Sequence, residues 1–290
     1  MTIVDAHHHL WRTDQGYDWL DEPALAPIRR NFTPAQLSAE LAAAGVGRSI
    51  LVEGGRCDTA EAAILFAHAA ATPAIAGVVA WADPEDPSLA ATVAGYRNLP
   101  GGHLLVGLRS QIQSEADPGY LDRPAVRDGL ALIGSLSLAF DLVIRADQLP
   151  SAARCAQALP SVRFVLDHLG KPPIRTGEGF ARWAAGLTAL AACPQVTAKL
   201  SGLVTEADWE RWSVDDLRPA VEVAFEAFGS ERLMFGSDWP VCTLATGYAE
   251  WLTALTAMIP AEARPAVFEQ VATRTYGLDR GSDLGPDPRR

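Results

Sequence analysis

Short runs of apolar residues recur along the chain and alternate with longer Ala- and Leu-rich stretches of helical period. The runs lie at Thr2–Ala6, Ser49–Glu53, Ala76–Trp81, Leu104–Leu108, Ala139–Ile144, Arg163–Leu166, Val196–Leu200 and Leu233–Phe235. Most are continuously apolar, the pattern of parallel strands covered on both faces. Helical patterns lie between them, among them Ala60–Ala71, Pro124–Gly134 and Leu217–Phe228. Strands alternating with helices imply right-handed crossovers and a parallel sheet. Eight strands are the number that closes a (β/α)8 TIM barrel, with an open doubly wound sheet as the alternative. No repeat, linker or composition break divides the chain, so one α/β domain is expected over residues 1–280. Residues 281–290 (GSDLGPDPRR) read as a flexible C-terminal tail. The irregular stretch Asp14–Asn31, with its Trp and Pro residues, reads as an ordered loop over one barrel face.

Composition narrows the functional classes. The chain has 290 residues, 24 Lys and Arg against 35 Asp and Glu, and a net charge of −11. An acidic surface without a basic block argues against nucleic acid or an anionic membrane as partner and leaves a small-molecule substrate. No apolar run approaches the ~18 residues of a membrane span. The opening MTIVDAHHHLW has no signal-peptide character, so a cytoplasmic location is expected. Cys57, Cys155, Cys193 and Cys242 form no C-x-x-C pair and read as reduced, buried thiols rather than as disulfides or zinc ligands. Oligomeric state is not legible.

The chemically able side chains gather at the C-terminal ends of the strand runs. His7 and His9 follow the first, Arg109 the fourth, Asp167 and His168 the sixth, and Asp238 the eighth, while Lys199 lies near the end of the seventh. In a TIM barrel these ends converge on one mouth, where active sites are built. Strand alternation points His7 and His9 to the same side and His8 away, so the pair makes a metal half-site or a hydrogen-bonding pair. A surface histidine cluster or a tag remnant is the competing reading, but the run is short and embedded in IVDAHHHLW. His168 alone would read as structural, and Asp238 as a helix N-cap. Placement at the same mouth favours catalytic roles for both, and a divalent metal such as zinc could be held by His7, His9, His168 and Asp238. Arg109 and Lys199 read either as ion pairs sealing the barrel or as groups binding substrate oxygens. Trp81 is the expected aromatic wall for a ring-shaped substrate, with Trp11 and Trp239 as further candidates.

Four motifs in order, DAHHHLW, VLDHLGKP, AKLSGLVTEADW and FGSDWPVC, resemble the amidohydrolase superfamily. More narrowly, they look like its branch of sugar-lactone and pyrone-dicarboxylate lactonases, and the resemblance runs from Val4 to about Trp251. It implies a (β/α)8 barrel that opens lactone rings by water attack. By motif, His7 and His9 are the H-x-H pair, His168 the strand-6 histidine and Asp238 the strand-8 aspartate. The chain departs from the metal-dependent members in lacking both the strand-4 Lys and the strand-5 His. A binuclear centre is therefore not expected, and a single divalent ion is compatible with the site without being required. Ser110 replaces a His commonly found after the equivalent Arg in this branch, which bears on which lactone fits.

The expected chemistry is hydrolysis of a sugar lactone to its hydroxy acid, with Asp238 taking a proton from water and the histidines or a cation stabilising the oxyanion. Two other readings stand beside it. One is a metal-dependent decarboxylase of a small unsaturated or aromatic acid, and the other a non-catalytic small-molecule-binding barrel.

Overall fold

The computed structural model describes residues 2–278, so the expected tail at 281–290 lies outside the described residues. Eight strands form one sheet in sequence order, every neighbouring pair parallel: β1 (Ile3–His8), β2 (Val46–Val52), β3 (Ile75–Trp81), β4 (Leu105–Ser110), β5 (Ala139–Leu142), β6 (Arg163–Leu166), β7 (Val196–Leu200) and β8 (Leu233–Phe235). A parallel bridge between His8 and Trp239, with bonds from His9 N to Trp239 O and Asp238 N to His7 O, joins the last strand to the first. The sheet thus curls into a barrel rather than lying open, as the strand count predicts.

The helices α1 (Pro34–Ala44), α2 (Glu61–Ala71), α3 (Leu89–Asn98), α4 (Pro124–Ser135), α5 (Leu149–Ala158), α6 (Phe180–Ala191), α7 (Val214–Phe228) and α8 (Tyr248–Met258) cover the outside, and α9 (Val271–Tyr276) follows. Their starts carry local signals: Thr33 and Gln36 form a reciprocal capping box ahead of Pro34, and Ser213 with Asp216 does the same for α7. Strand parity sorts the apolar residues into two cores. Phe140, Leu142, Phe164, Leu166, Leu200 and Phe235 face the helices, whereas the smaller Val4, Ala6, Ile50, Val52, Val79, Ala139, Val165 and Met234 fill the barrel. Val271, Ala272 and Tyr276 join that inner cluster, so α9 packs into the barrel.

Several boundaries differ from the sequence expectation. β1 continues through His8 and β4 through Ser110, so His7 and Arg109 lie within strands rather than after them. In β1 the partners step from Asp5↔Ser49 to His8↔Leu51, three residues against two. This bulge re-aims the strand, so His7 enters the mouth although Val4 and Ala6 already face the interior. Three of the four cysteines are buried as expected, but Cys57 is exposed.

Candidate active site

The C-terminal strand ends enclose a cavity of about 1000 Å³ whose wall includes His9, Arg109, His168 and Asp238. The expected loop crosses this mouth as two short 3-10 turns, Asp18–Asp21 and Pro23–Ile28, and contributes Trp19, Glu22 and Leu25 to the wall.

His7 and His9 converge as their parity predicts: their Nε2 atoms are 3.1 Å apart, and His8 turns away to Ser49 Oγ at 3.0 Å. Asp238 Oδ1 lies 3.7 Å from His7 Nε2 and 3.5 Å from His9 Nε2. Asp238 takes a left-handed backbone conformation (φ 56°), which Asp tolerates better than most residues. Its side chain does not cap the short helix Val241–Leu244 that follows. The turn is anchored by Asp5, whose carboxylate accepts from His7 N, Ser237 N and Tyr248 OH. One buried acid therefore ties β1, which carries His7, to the turn after β8 that carries Asp238. Gly202 makes close approach possible, since a Cβ there would lie 2.6 Å from His168 Nδ1 and 3.2 Å from Asp238 Oδ2.

His7, His9 and Asp238 fit a divalent ion. Tetrahedral ligands about 2.0–2.1 Å from zinc lie about 3.3 Å from one another, and the three separations here bracket that spacing. His9 Nδ1 faces Val52 O at 3.0 Å, and a carbonyl only accepts, so Nδ1 carries the proton and Nε2 the lone pair. His7 Nδ1 faces Asp167 Oδ1 at 3.3 Å, the carboxylate–histidine arrangement that orients metal ligands. When His7 donates to Asp167, its Nε2 presents a lone pair toward the same point as that of His9. His168 stands outside this trio. It groups instead with His7 and Asp167, meets the His7 ring edge-on at 4.6 Å between centroids, and has Nδ1 2.9 Å from Ser201 Oγ.

Beneath the cavity floor lies a charged network. Arg109 Nε and Nη2 donate to Glu53 Oε1 and Glu53 O, both at 2.6 Å, and Nη1 reaches Asp167 Oδ2 at 3.0 Å and His7 Nε2 at 3.3 Å. Four of its five donors are thus engaged by the protein, leaving one Nη2 hydrogen at the cavity wall. Lys199 is fully covered, with Asp141 Oδ2 at 2.6 Å, Asp167 Oδ1 at 2.9 Å and His7 Nδ1 at 3.1 Å, and it is not part of the wall. Tyr276 OH donates to Asp141 from α9.

Burial favours neutral imidazoles: it lowers His168 to about 4 and His8 to about 3, and it holds His7 well below its ordinary value despite Asp167. Burial acts to raise Asp238, but the neighbouring His168 and the Lys171 ammonium help hold it below the usual carboxylate range, so it is ionised at neutral pH. Asp167 is likewise kept low, Lys199, His7 and Arg109 outweighing its burial.

The amidohydrolase family model matches residues 4–278. The chain belongs to the amidohydrolase family. It is 37% identical to an L-fucono-1,5-lactonase of Burkholderia multivorans over 97% of each chain, and 33% identical to an L-fucono-1,5-lactonase of Burkholderia ambifaria over 96% of this chain and 97% of that one. Among solved structures, an amidohydrolase from Burkholderia multivorans with bound zinc has a TM-score of 0.89 at 35% identity, covering 96% of this chain and 99% of that one.

In this amidohydrolase, the aromatic wall differs from the expectation. Trp81 is half-buried at the end of β3 and lies off the cavity, and Trp11 and Trp239 are buried in ring contacts with Phe32. Trp19 and Trp209 face the cavity instead, each fixed by a bond from Nε1 to a backbone carbonyl, of Gly54 and Thr205 respectively. The roles of Glu53, Asp141 and Asp167 were not apparent from the motifs. For Asp141 and Asp167 the signal was strand parity, since they stand two residues after the barrel-facing Ala139 and Val165, whereas Glu53 directly follows the barrel-facing Val52 and carried no such signal. Lys171 and Glu206 on the cavity wall carried no periodic signal. Among the described residues, no helix is long and apolar enough to cross a membrane.

Proposed function

We propose that this amidohydrolase opens a sugar lactone to its hydroxy acid by attack of water. The observation that carries the reading is Asp238, a carboxylate held ionised in the cavity wall beside the neutral imidazole of His168. Relatives at 37% and 33% identity over nearly the whole chain are L-fucono-1,5-lactonases, which supports a polar six-membered sugar lactone as the substrate class.

Asp238 accepts a proton from water as the water oxygen bonds to the ring carbonyl carbon. If Ser201 donates to His168 Nδ1, the ring offers Nε2–H to the oxyanion that forms. As the carbonyl re-forms and the ring C–O bond breaks, Asp238 returns the proton to the departing oxygen. The product is a hydroxy acid that ionises and releases one proton to solution. His7, His9 and Asp238 would hold a divalent ion such as zinc, which when bound supplies positive charge against the carbonyl oxygen. Arg109 contributes its one remaining Nη2 hydrogen to substrate oxygens and Lys199 acts through His7 and Asp167.

A pH-indicator assay over five- and six-membered sugar lactones, L-fucono-1,5-lactone among them, tests the reading. Asp238→Asn preserves size and removes the base, so kcat should fall at least ~100-fold with circular dichroism unchanged. A folded Asn variant with near-full activity would remove Asp238 from the role of base. Failure of the parent to accelerate proton release from any lactone would reject the function, and carbon dioxide release from an unsaturated acid would replace it with decarboxylation.

A further inference from the structure

The wall beside Asp238 carries a second polar pair that the hydrolytic steps do not use. Lys171 follows β6 and Glu206 follows β7, and both line the cavity with His168 and Asp238. Lys171 Nζ and Glu206 Oε1 are 4.0 Å apart, with side chains 31% and 27% exposed. That separation is too long for a hydrogen bond, and neither side chain makes another among the described residues.

The backbone holds Lys171 there at a cost. His168, Leu169, Gly170 and Lys171 have φ of 54°, 51°, 66° and 56°, four consecutive residues in the left-handed region of which only one is glycine. L-residues avoid this conformation, and runs of it persist only where the surroundings impose it. Here Leu169 is completely buried, Trp183 Nε1 donates to Leu169 O at 2.8 Å, and Lys171 N donates to His168 O at 2.9 Å. The turn that aims His168 at the reaction centre thereby fixes Lys171 on the same wall. Glu206 is held from the other side, its carbonyl accepting from Arg175 N at 3.0 Å.

We infer that Lys171 and Glu206 form a specificity-determining clamp for one hydroxyl of the sugar, which donates to Glu206 and accepts from Lys171. The inference rests on the lactonase reading and adds the group that selects among sugars. A hydroxyl oxygen about 2.8 Å from each of two atoms 4.0 Å apart meets both at close to a right angle, a geometry that an alcohol satisfies with one donor and one lone pair. Burial raises the Glu206 carboxyl above its ordinary value, Lys171 opposing that rise and the charge of Asp238 adding to it. A ring lacking that hydroxyl, or carrying it in the other configuration, leaves both charged groups unpaired against the ligand, and such losses discriminate strongly.

The test uses the lactone that the parent hydrolyses fastest and a series of its deoxy analogues, each lacking one hydroxyl. Lys171→Met and Glu206→Gln should each lower kcat/KM for the full lactone roughly ten- to hundredfold, the effect of a hydrogen bond to a charged group. For one deoxy analogue the parent should fall by a similar factor and the substitutions should add nothing. Lys171→Arg, which keeps the donor, should recover part of the loss. Equal losses across every analogue, or no loss for the full lactone, would overturn the clamp while leaving hydrolysis intact. If the parent hydrolyses no lactone, calorimetric binding of aldonic acids and their deoxy forms gives the same comparison. There, substitutions that weaken only the acid retaining the hydroxyl support the clamp. Uniform weakening, unchanged binding or no binding at all rejects it.

Discussion

Replacing Lys199 by Met tests whether the cation beneath the floor is structural. The substitution keeps chain length and removes the ammonium from between Asp141 Oδ2 at 2.6 Å, Asp167 Oδ1 at 2.9 Å and His7 Nδ1 at 3.1 Å. The buried network then retains one cation, Arg109, against the carboxyl groups of Glu53, Asp141 and Asp167. Breaking a buried pair by removing one partner costs about 3–5 kcal/mol, a large part of the roughly 5–15 kcal/mol that holds a domain folded. The loss should also depend on pH. Burial already raises Asp141 to about 6, and Lys199 is the main group opposing that rise, so without it Asp141 goes higher. An acid raised in the folded state binds a proton that the unfolded chain has released, so stability falls as pH rises from the unfolded value toward the folded one. Lys199→Met should therefore be penalised more at pH 8 than at pH 5.5 in urea unfolding, and Asp141→Asn in the same chain should restore part of the loss. A penalty below about 1 kcal/mol at pH 8, or intact stability with a raised KM, would refute the structural assignment and return Lys199 to the substrate.

Three further outcomes follow from the same geometry. Arg109→Lys replaces a fork that serves Glu53, Asp167 and His7 with a point charge, so the melting temperature should fall and KM should rise; thermal loss with KM unchanged would take Arg109 out of substrate binding. Glu61, raised to about 8 by burial and then by Glu53, keeps its proton in the fold, so the parent should lose stability as pH rises from about 5 to 9; Glu61→Gln should flatten that decline, and an unchanged slope would contradict it. Dialysis against chelator should strip metal from the His7, His9 and Asp238 trio while much lactonase activity remains, because a lactone is an activated ester; complete loss restored by zinc, with elemental analysis in parallel, would show instead that the ion is essential.

The barrel was legible because each buried strand must be apolar on both faces, and eight such runs separated by helical patterns admit few closures. His7, His9, His168 and Asp238 were legible because strand ends share one mouth, and the structure gathers all four around the cavity floor. The charged network was harder, because its pairings are tertiary: Arg109 meets Glu53 across 56 residues and Asp167 across 58. Parity alone placed Asp141, Asp167 and Lys199 inside a barrel, and a charge there must find its opposite within the barrel or remain uncompensated. The existence of the network was thus implied, though not its partners, which is why Lys199 could be assigned to substrate as readily as to an ion pair sealing the barrel. The wall residues were harder still. Trp19, Trp209, Lys171 and Glu206 sit on loops, where no period marks which side chain faces inward. For Lys171 the deciding feature is a left-handed turn through His168 and Leu169, a conformation neither residue prefers. The burial of Leu169 and the bond from Trp183 Nε1 to its carbonyl hold that turn, so the residue that the clamp requires became visible only in the folded chain.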